Sequence, residues 1–263
     1  MTKIHRFARP ALTLLCVATL LAACGGGDNS SGRGGLLSLP ASVTTITKGQ
    51  TDAATTASGL AALAGPATCD VKVSSIEYNT LGGKGEVTNA TAAVMVPTGT
   101  AAACTGARPI LLYAHGTTTD KTKNLTRVTT DGEASLLMAV YAAQGFVVVA
   151  PNYTGYDKST LPYHPYLNAD AQAIDMIDAV RATKQGQGSL GVTLSNKLFI
   201  TGYSQGGHVA MATHRAIQQS YAGELTVTAS APMSGPYALA KMSAAVFAGQ
   251  QNIGAAIFTP MVI

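Results

Sequence analysis

Hydrophobic positions along the chain follow one pattern up to Pro97 and another from Pro109 onward. Val71, Val73 and Ser75 alternate with polar neighbours and lead into Ile76 and Tyr78, the two-residue period of a strand. Leu81 to Gly85 reads as a turn, and Val87 to Val96 as a second strand stopped by Pro97, so the pair predicts an antiparallel hairpin at a sheet edge. Beyond Pro109 the apolar runs become continuous: Ile110 to Ala114, Phe146 to Ala150 and Leu198 to Thr201. Runs of that kind mark strands buried on both faces. Helical spacing separates them. One helix starts at Asp131 or Gly132, carries Leu136, Leu137, Val140 and Tyr141 on one face and stops at Gly145; another starts near Asn168 with Ala173, Ile174, Ile177 and Val180 in register. Val209 to Gln219 reads as a third helix and Leu225 to Ala231 as a further strand. Strands alternating with helices predict an α/β protein with a mostly parallel sheet covered on both sides.

Residues 36–68 are rich in Thr, Ala and Ser with weak periodicity, and Gly59 to Leu63 is the one short helix they suggest. They read as an extension, with the globular domain running over 69–263. Those 195 residues suit one domain with a sizeable core. Apolar residues make up 47% of the chain and charged ones 11%, as buried strands require.

Residues 1–23 read as a targeting segment. Lys3, Arg6 and Arg9 precede an apolar stretch from Ala11 to Ala23 that is shorter than the roughly 20 residues a bilayer span needs. Leu21-Ala22-Ala23-Cys24 resembles the bacterial lipobox, which implies cleavage before Cys24 and lipid on its sulfur. Gly25 to Gly35 contains no apolar residue and reads as a flexible tether, so 24–68 would be tether plus extension. The protein is then expected to be exported and membrane-anchored through Cys24, on the outer membrane or its periplasmic face. The whole chain has 17 basic and 13 acidic residues; removing the leader's three basic ones leaves 14 minus 13, or +1. The basic balance is therefore no argument for nucleic acid. Cys69 and Cys104 remain as a pair in an oxidising compartment, where a disulfide between them would staple the hairpin. No Cys/His spacing resembles a zinc site and no cofactor is implied.

The stretch that carries chemistry is Leu198-Phe-Ile-Thr-Gly-Tyr-Ser-Gln-Gly-Gly-His208. A strand runs into Gly202-Tyr203-Ser204-Gln205-Gly206 and a helix follows. In that context the G-x-S-x-G pattern is a nucleophile elbow: the turn lifts the Ser204 hydroxyl clear of the sheet, and Gly202 and Gly206 allow a close approach that side chains would block. The helix N-terminus behind Ser204 places partial positive charge where an oxyanion forms.

Three motifs then fall in one order: Tyr113-Ala-His-Gly-Thr117 after the first parallel strand, Val147 to Asp157 across the second, and the Ser204 elbow after the third. The set resembles the α/β-hydrolase superfamily, and within it the secreted lipases and esterases, over about residues 69–250. The resemblance implies acyl transfer at Ser204 on a small-molecule or lipid ester. Gln205 and Thr117 would supply the backbone N–H groups that receive the oxyanion. It implies a loop role for His115, whose side chain bonds nearby backbone, and a place in or near the pocket for Tyr203. Asn152 to Tyr156 would be either a site-shaping loop or a structural turn.

The chain departs from the family after Ser204. The family's order is Ser, then Asp or Glu, then His, yet Glu224 is the only later carboxylate side chain and precedes a strand. His208 and His214 are the only later histidines and read as helix residues. The expectation is an α/β-hydrolase fold incomplete at its C-terminus, an N-terminal part without turnover of its own. Completion by another chain, a non-catalytic surface-anchored binding domain, and a swing of His164 toward Ser204 are the rival accounts. Among enzymes the rival is a serine peptidase of the prolyl-oligopeptidase type, which shares G-x-S-x-G-G.

Overall fold

The computed structural model describes residues 32–250 and 258–261. Its strands are β1 (Ala41–Ile46), β2 (Asp70–Leu81), β3 (Val87–Thr98), β4 (Ala107–Ala114), β5 (Val147–Pro151), β6 (Thr193–Tyr203) and β7 (Val227–Met233). They form one seven-stranded sheet in the order β1-β2-β3-β5-β4-β6-β7. β1, β2 and β3 pair antiparallel, β3 joins β5 antiparallel, and β5, β4, β6 and β7 run parallel. The helices are α1 (Lys48–Ala57), α2 (Ala61–Ala64), α3 (Gly132–Val140), α4 (Ala169–Gln185), α5 (Gln187–Leu190), α6 (Gln205–Ser220) and α7 (Leu239–Phe247).

Strand alternation divides the continuous apolar runs between two cores. Ile110, Leu112, Val147, Val149 and Ile200 face one side with Met176, Ile177 and Val180 of α4 and Val209 of α6. Leu111, Tyr113, Val148 and Ala150 face the other with Ala134, Leu137 and Met138 of α3. β4 is followed in sequence by β5 on one side and β6 on the other. The loops leaving β4 and β6 therefore diverge, and open α/β sheets carry their ligand crevice at such a switch, beyond the carboxyl ends of the strands.

The extension before Cys69 needs correcting. From Arg33 onward it packs on the sheet and its helices. β1 adds to β2, Thr47 and Gln50 form a reciprocal capping box on α1, and the Asp52 carboxylate accepts from the Ala67 N–H at 2.7 Å. Arg33 reaches both oxygens of the buried Asp178 carboxylate, 3.1 Å each, while Arg181 and the Thr80 hydroxyl fill its remaining sites at 2.8 and 2.9 Å. Weak apolar periodicity hid this because the segment is held largely by polar contacts, and β1 is an edge strand exposed along most of its length. The leader and Cys24 lie outside the described residues.

Cys69 and Cys104 are bonded, with Cα atoms 5.6 Å apart, and enclose the β2–β3 hairpin. Cross-linking residues 35 apart removes loop-closure entropy from the unfolded chain worth about 4 kcal/mol. The Cys69→Ser/Cys104→Ser variant is expected to lose roughly that much on denaturant unfolding; a midpoint equal to wild type would contradict it.

Candidate active site

β6 ends at Tyr203 and α6 begins at Gln205, so the whole change of direction falls on Ser204, at φ 57° and ψ −121°. A non-glycine residue held there costs about 1–3 kcal/mol and persists only where its surroundings fix it. They do so here. The Ser204 N–H donates to the Met233 carbonyl of β7 at 3.0 Å, and the Ser204 carbonyl accepts from the Gly207 N–H at 2.9 Å. A Cβ on Gly202 would stand 2.6 Å from the Ala114 oxygen; one on Gly206 would overlap that same oxygen and stand 2.8 Å from the His115 oxygen. A Cβ on Gly207 would drive into the Met233 carbonyl. The glycines let the end of β4, the elbow and the end of β7 press together. The Ser204 hydroxyl makes no hydrogen bond among the described residues and does not cap its own helix. Gln205 opens the helix, so its N–H has no intrahelical acceptor, at the positive end of a sixteen-residue helix.

The second half of the site is the turn after β4. Glu133, in the first turn of α3, accepts from the Gly116 N–H at 3.0 Å and from the Tyr113 hydroxyl at 2.8 Å, and Lys123 lies 3.3 Å from its other oxygen. Burial, with Glu133 beside it, raises the Tyr113 hydroxyl well above its ordinary range, so it stays a donor. His115 is fully buried, with ring nitrogens 2.7 Å from the Gly116 oxygen and 3.2 Å from the Asn152 oxygen, and it stacks on Tyr153 at 4.0 Å. Burial lowers its pKa, and its ring contacts brace the turn. The turn thus fixed leaves the Thr117 N–H without an acceptor among the described residues. Ser204, Thr117, Gly116 and Glu133 line one cleft of about 950 Å³ with an apolar wall that includes Leu136, Leu137, Tyr141 and Met233. Tyr203 stands at its rim, 56% exposed.

The secretory lipase family matches the chain over residues 120–251, half its length. The chain belongs to the secretory lipase family. Among solved structures it is similar to the rice cell wall degrading esterase LipA from Xanthomonas oryzae, at 36% identity and TM-score 0.71 over 80% of this chain and 52% of that one. A Legionella pneumophila protein described as a hydrolase matches at 25% identity and TM-score 0.66, over 76% of this chain and 52% of that one. Lipase A of Candida antarctica, at 16% identity and TM-score 0.50 over 76% of this chain and 41% of that one, shares the fold. No curated protein matches. The chain spans about half the length of the solved structures it matches, 52% for LipA.

In this member of the secretory lipase family, Ser204 and Thr117 line the same cleft, Gln205 follows Ser204 as the first residue of α6, and Gly202 and Gly206 have the tight contacts the elbow pattern requires. One carboxylate and two histidines are engaged by groups other than Ser204, and a third histidine, His208, is half-buried. Glu224 is paired with Arg181 at 2.6 Å. His214 bonds the Ser230 hydroxyl at 2.8 Å. Burial lowers the pKa of His208, whose Nδ1 has no partner. His164 does not swing free: both ring nitrogens are engaged, Nδ1 with the Thr154 carbonyl at 2.9 Å and Nε2 with the Gln205 side chain at 2.7 Å. Sequence reasoning missed Glu133, which lies in the first turn of an ordinary capped helix, and Tyr166, which reaches the Thr117 hydroxyl at 2.9 Å. No pattern in the chain signals either. Among the described residues no helix is long and apolar enough to cross a membrane.

Behind the elbow lies a buried polar chain. Asp175 accepts from the Tyr78 hydroxyl at 2.8 Å and the Thr154 N–H at 3.0 Å, and Thr154 in turn accepts from His164. Burial pushes Asp175 up to about 7 and His164 down to about 3. The two act oppositely on stability. Asp175 holds its proton in the folded state, so its contribution fades as pH rises from about 4 to about 7. His164 refuses a proton in the folded state, so its contribution fades as pH falls from about 6.5 to about 3. Over the shared window they cancel. In Asp175→Asn the histidine is left alone, and unfolding free energy is expected to fall with acidification about 1.4 kcal/mol per pH unit more steeply than in wild type. Parallel pH curves for the two proteins would contradict this.

Proposed function

We propose that this chain carries the nucleophile and oxyanion half of an exported serine esterase. In the proposed reaction the Ser204 Oγ attacks the ester carbonyl carbon, its proton passing to a histidine base. The tetrahedral oxyanion is received by the N–H groups of Gln205 and Thr117. The alcohol leaves with that proton, and water then hydrolyses the acyl group from Ser204. The observation that carries this reading is the strained backbone of Ser204, which sets an unengaged hydroxyl on a cleft shared with Thr117. Strain of this kind clusters where function requires it. The apolar wall of that cleft suits an ester with a hydrocarbon acyl group. The family match supports ester hydrolysis over the peptidase reading.

Among the described residues after Ser204, Glu224 is paired with Arg181 and His214 with the Ser230 hydroxyl, and His208 lies within α6 itself. The proposal assigns the acid and the histidine to sequence following residue 263 in a longer product. The 263-residue form is then expected to show no turnover of p-nitrophenyl butyrate, and the product of the whole reading frame to hydrolyse it. Hydrolysis by the 263-residue form that Ser204→Ala abolishes would overturn the assignment of the missing pair. Hydrolysis by neither form would overturn the esterase reading.

Export and anchoring rest on Leu21-Ala22-Ala23-Cys24. The mature protein is expected to begin at a Cys24 carrying a diacylglyceryl group. An exported protein whose N-terminal peptide shows Cys24 unmodified by mass would contradict the anchor.

A further inference from the structure

The segment Tyr163-His164-Pro165-Tyr166 has no part in the chemistry just described, yet it touches both residues that supply the oxyanion donors. Its first residue is anchored by the Tyr163 hydroxyl on Glu86 at 2.6 Å. A Cβ on Gly155 would overlap the Tyr163 carbonyl, so the glycine there lets the segment lie directly on the loop after β5. His164 is held between Tyr153 and Tyr156, with ring centroids at 5.5 and 4.7 Å. The Thr154 carbonyl can only accept, so His164 carries its hydrogen on Nδ1 and offers a lone pair at Nε2. That lone pair meets the side-chain Nε2 of Gln205 at 2.7 Å, with Gln172 Nε2 at 3.2 Å beside it. The Oε1 atoms of both glutamines are buried without a partner, so this contact is the one polar hold on the Gln205 side chain among the described residues. Two residues further on, the Tyr166 hydroxyl lies 2.9 Å from the Thr117 hydroxyl.

We propose that the Tyr163–Tyr166 segment is a bracket that sets the oxyanion hole: His164 fixes Gln205 through its side chain, Tyr166 fixes Thr117, and both are positioning residues. This rests on the reading of Ser204 as nucleophile. Two backbone N–H groups on separate elements, one opening α6 and one on the loop after β4, must aim at a common point to within a fraction of an ångström. Gly116 and the elbow glycines bring those elements together but hold neither side chain. A single short segment bonded to both sets their relative position. Neutral His164 is the form the bracket needs, because a protonated Nε2 would face an amide N–H as donor against donor.

The test uses Tyr166→Phe, which removes one oxygen and keeps the ring; Gln205→Met, which keeps the backbone N–H and cuts the link; and His164→Ala, alone and combined with Gln205→Met. In the product of the whole reading frame, each single variant is expected to lower kcat on p-nitrophenyl butyrate by about 10- to 100-fold with KM within about twofold, as for a misplaced transition-state donor. The double variant is expected to lose little more than either of its parts, since both cut the same link. In the 263-residue chain, the backbone amide NMR signals are a second readout: Thr117 is expected to move in Tyr166→Phe and Gln205 in His164→Ala. Unchanged kcat in folded variants, or unmoved amide signals, overturns the bracket. Wild type without turnover, but with amide signals moving as stated, sinks the esterase reading and leaves the bracket standing.

Discussion

Replacing Gly206 by alanine is expected to be among the most damaging single-methyl additions to this protein. The added Cβ would overlap the Ala114 carbonyl and stand 2.6 Å from its carbon and 2.8 Å from the His115 oxygen. These are backbone atoms at the end of a central strand, so no side chain can turn aside. Either the start of α6 moves off the sheet or β4 shifts against β5 and β6, and both disturb the two cores at once. The expected cost is about 3–5 kcal/mol, the range of severe packing errors. Whatever protein survives should have lost the placement of Ser204 on its cleft. Gly223→Ala is the matched control, because its Cβ would meet nothing within 4 Å and stability should stay within about 0.5 kcal/mol of wild type. Equal unfolding midpoints for the two variants would mean that the close approach of elbow and β4 is not what holds the site.

Ser204 should show the opposite pattern, with large loss of chemistry and no loss of stability. Ser204→Ala removes the attacking oxygen, and the turnover of the whole-frame product is expected to fall by at least about 10⁴-fold, as for other serine nucleophiles. Ser204→Gly is equally inactive but relieves the positive φ of 57°, so it should be more stable than wild type by about 1 kcal/mol. The pairing of those results separates a residue strained for function from one buried for packing. A Ser204→Gly variant that is less stable than wild type would show that the hydroxyl supports the fold.

Much of this was legible in the chain, because the signals were local. The continuous runs Ile110–Ala114 and Leu198–Thr201 identify strands buried on both faces. The spacing of Gly202, Ser204 and Gly206 identifies the elbow without knowledge of what the glycines touch. The parts that escaped are those that depend on distant partners. Residues 33–46 join the fold through Arg33 on Asp178, 145 residues away, and through an exposed edge strand, neither of which leaves an apolar period. Glu133 acquires its role only because α3 packs beside the end of β4. The sequence offers His164 only as an upstream histidine able to swing toward Ser204. Its engagement of Gln205, 41 residues on, depends on how the loop after β5 lies against α6, which periodicity does not encode.

The central claim is that the Ser204 hydroxyl is an activated nucleophile facing two prepared amide donors, and covalent labelling reads it most directly. The product of the whole reading frame is treated with a fluorophosphonate, digested, and the adduct located by mass spectrometry. The account predicts a single adduct on Ser204, absent from Ser204→Ala and strongly slowed in Gly206→Ala. An enzyme that hydrolyses esters while its adduct sits on another serine, or that labels unchanged in Ser204→Ala, would contradict it.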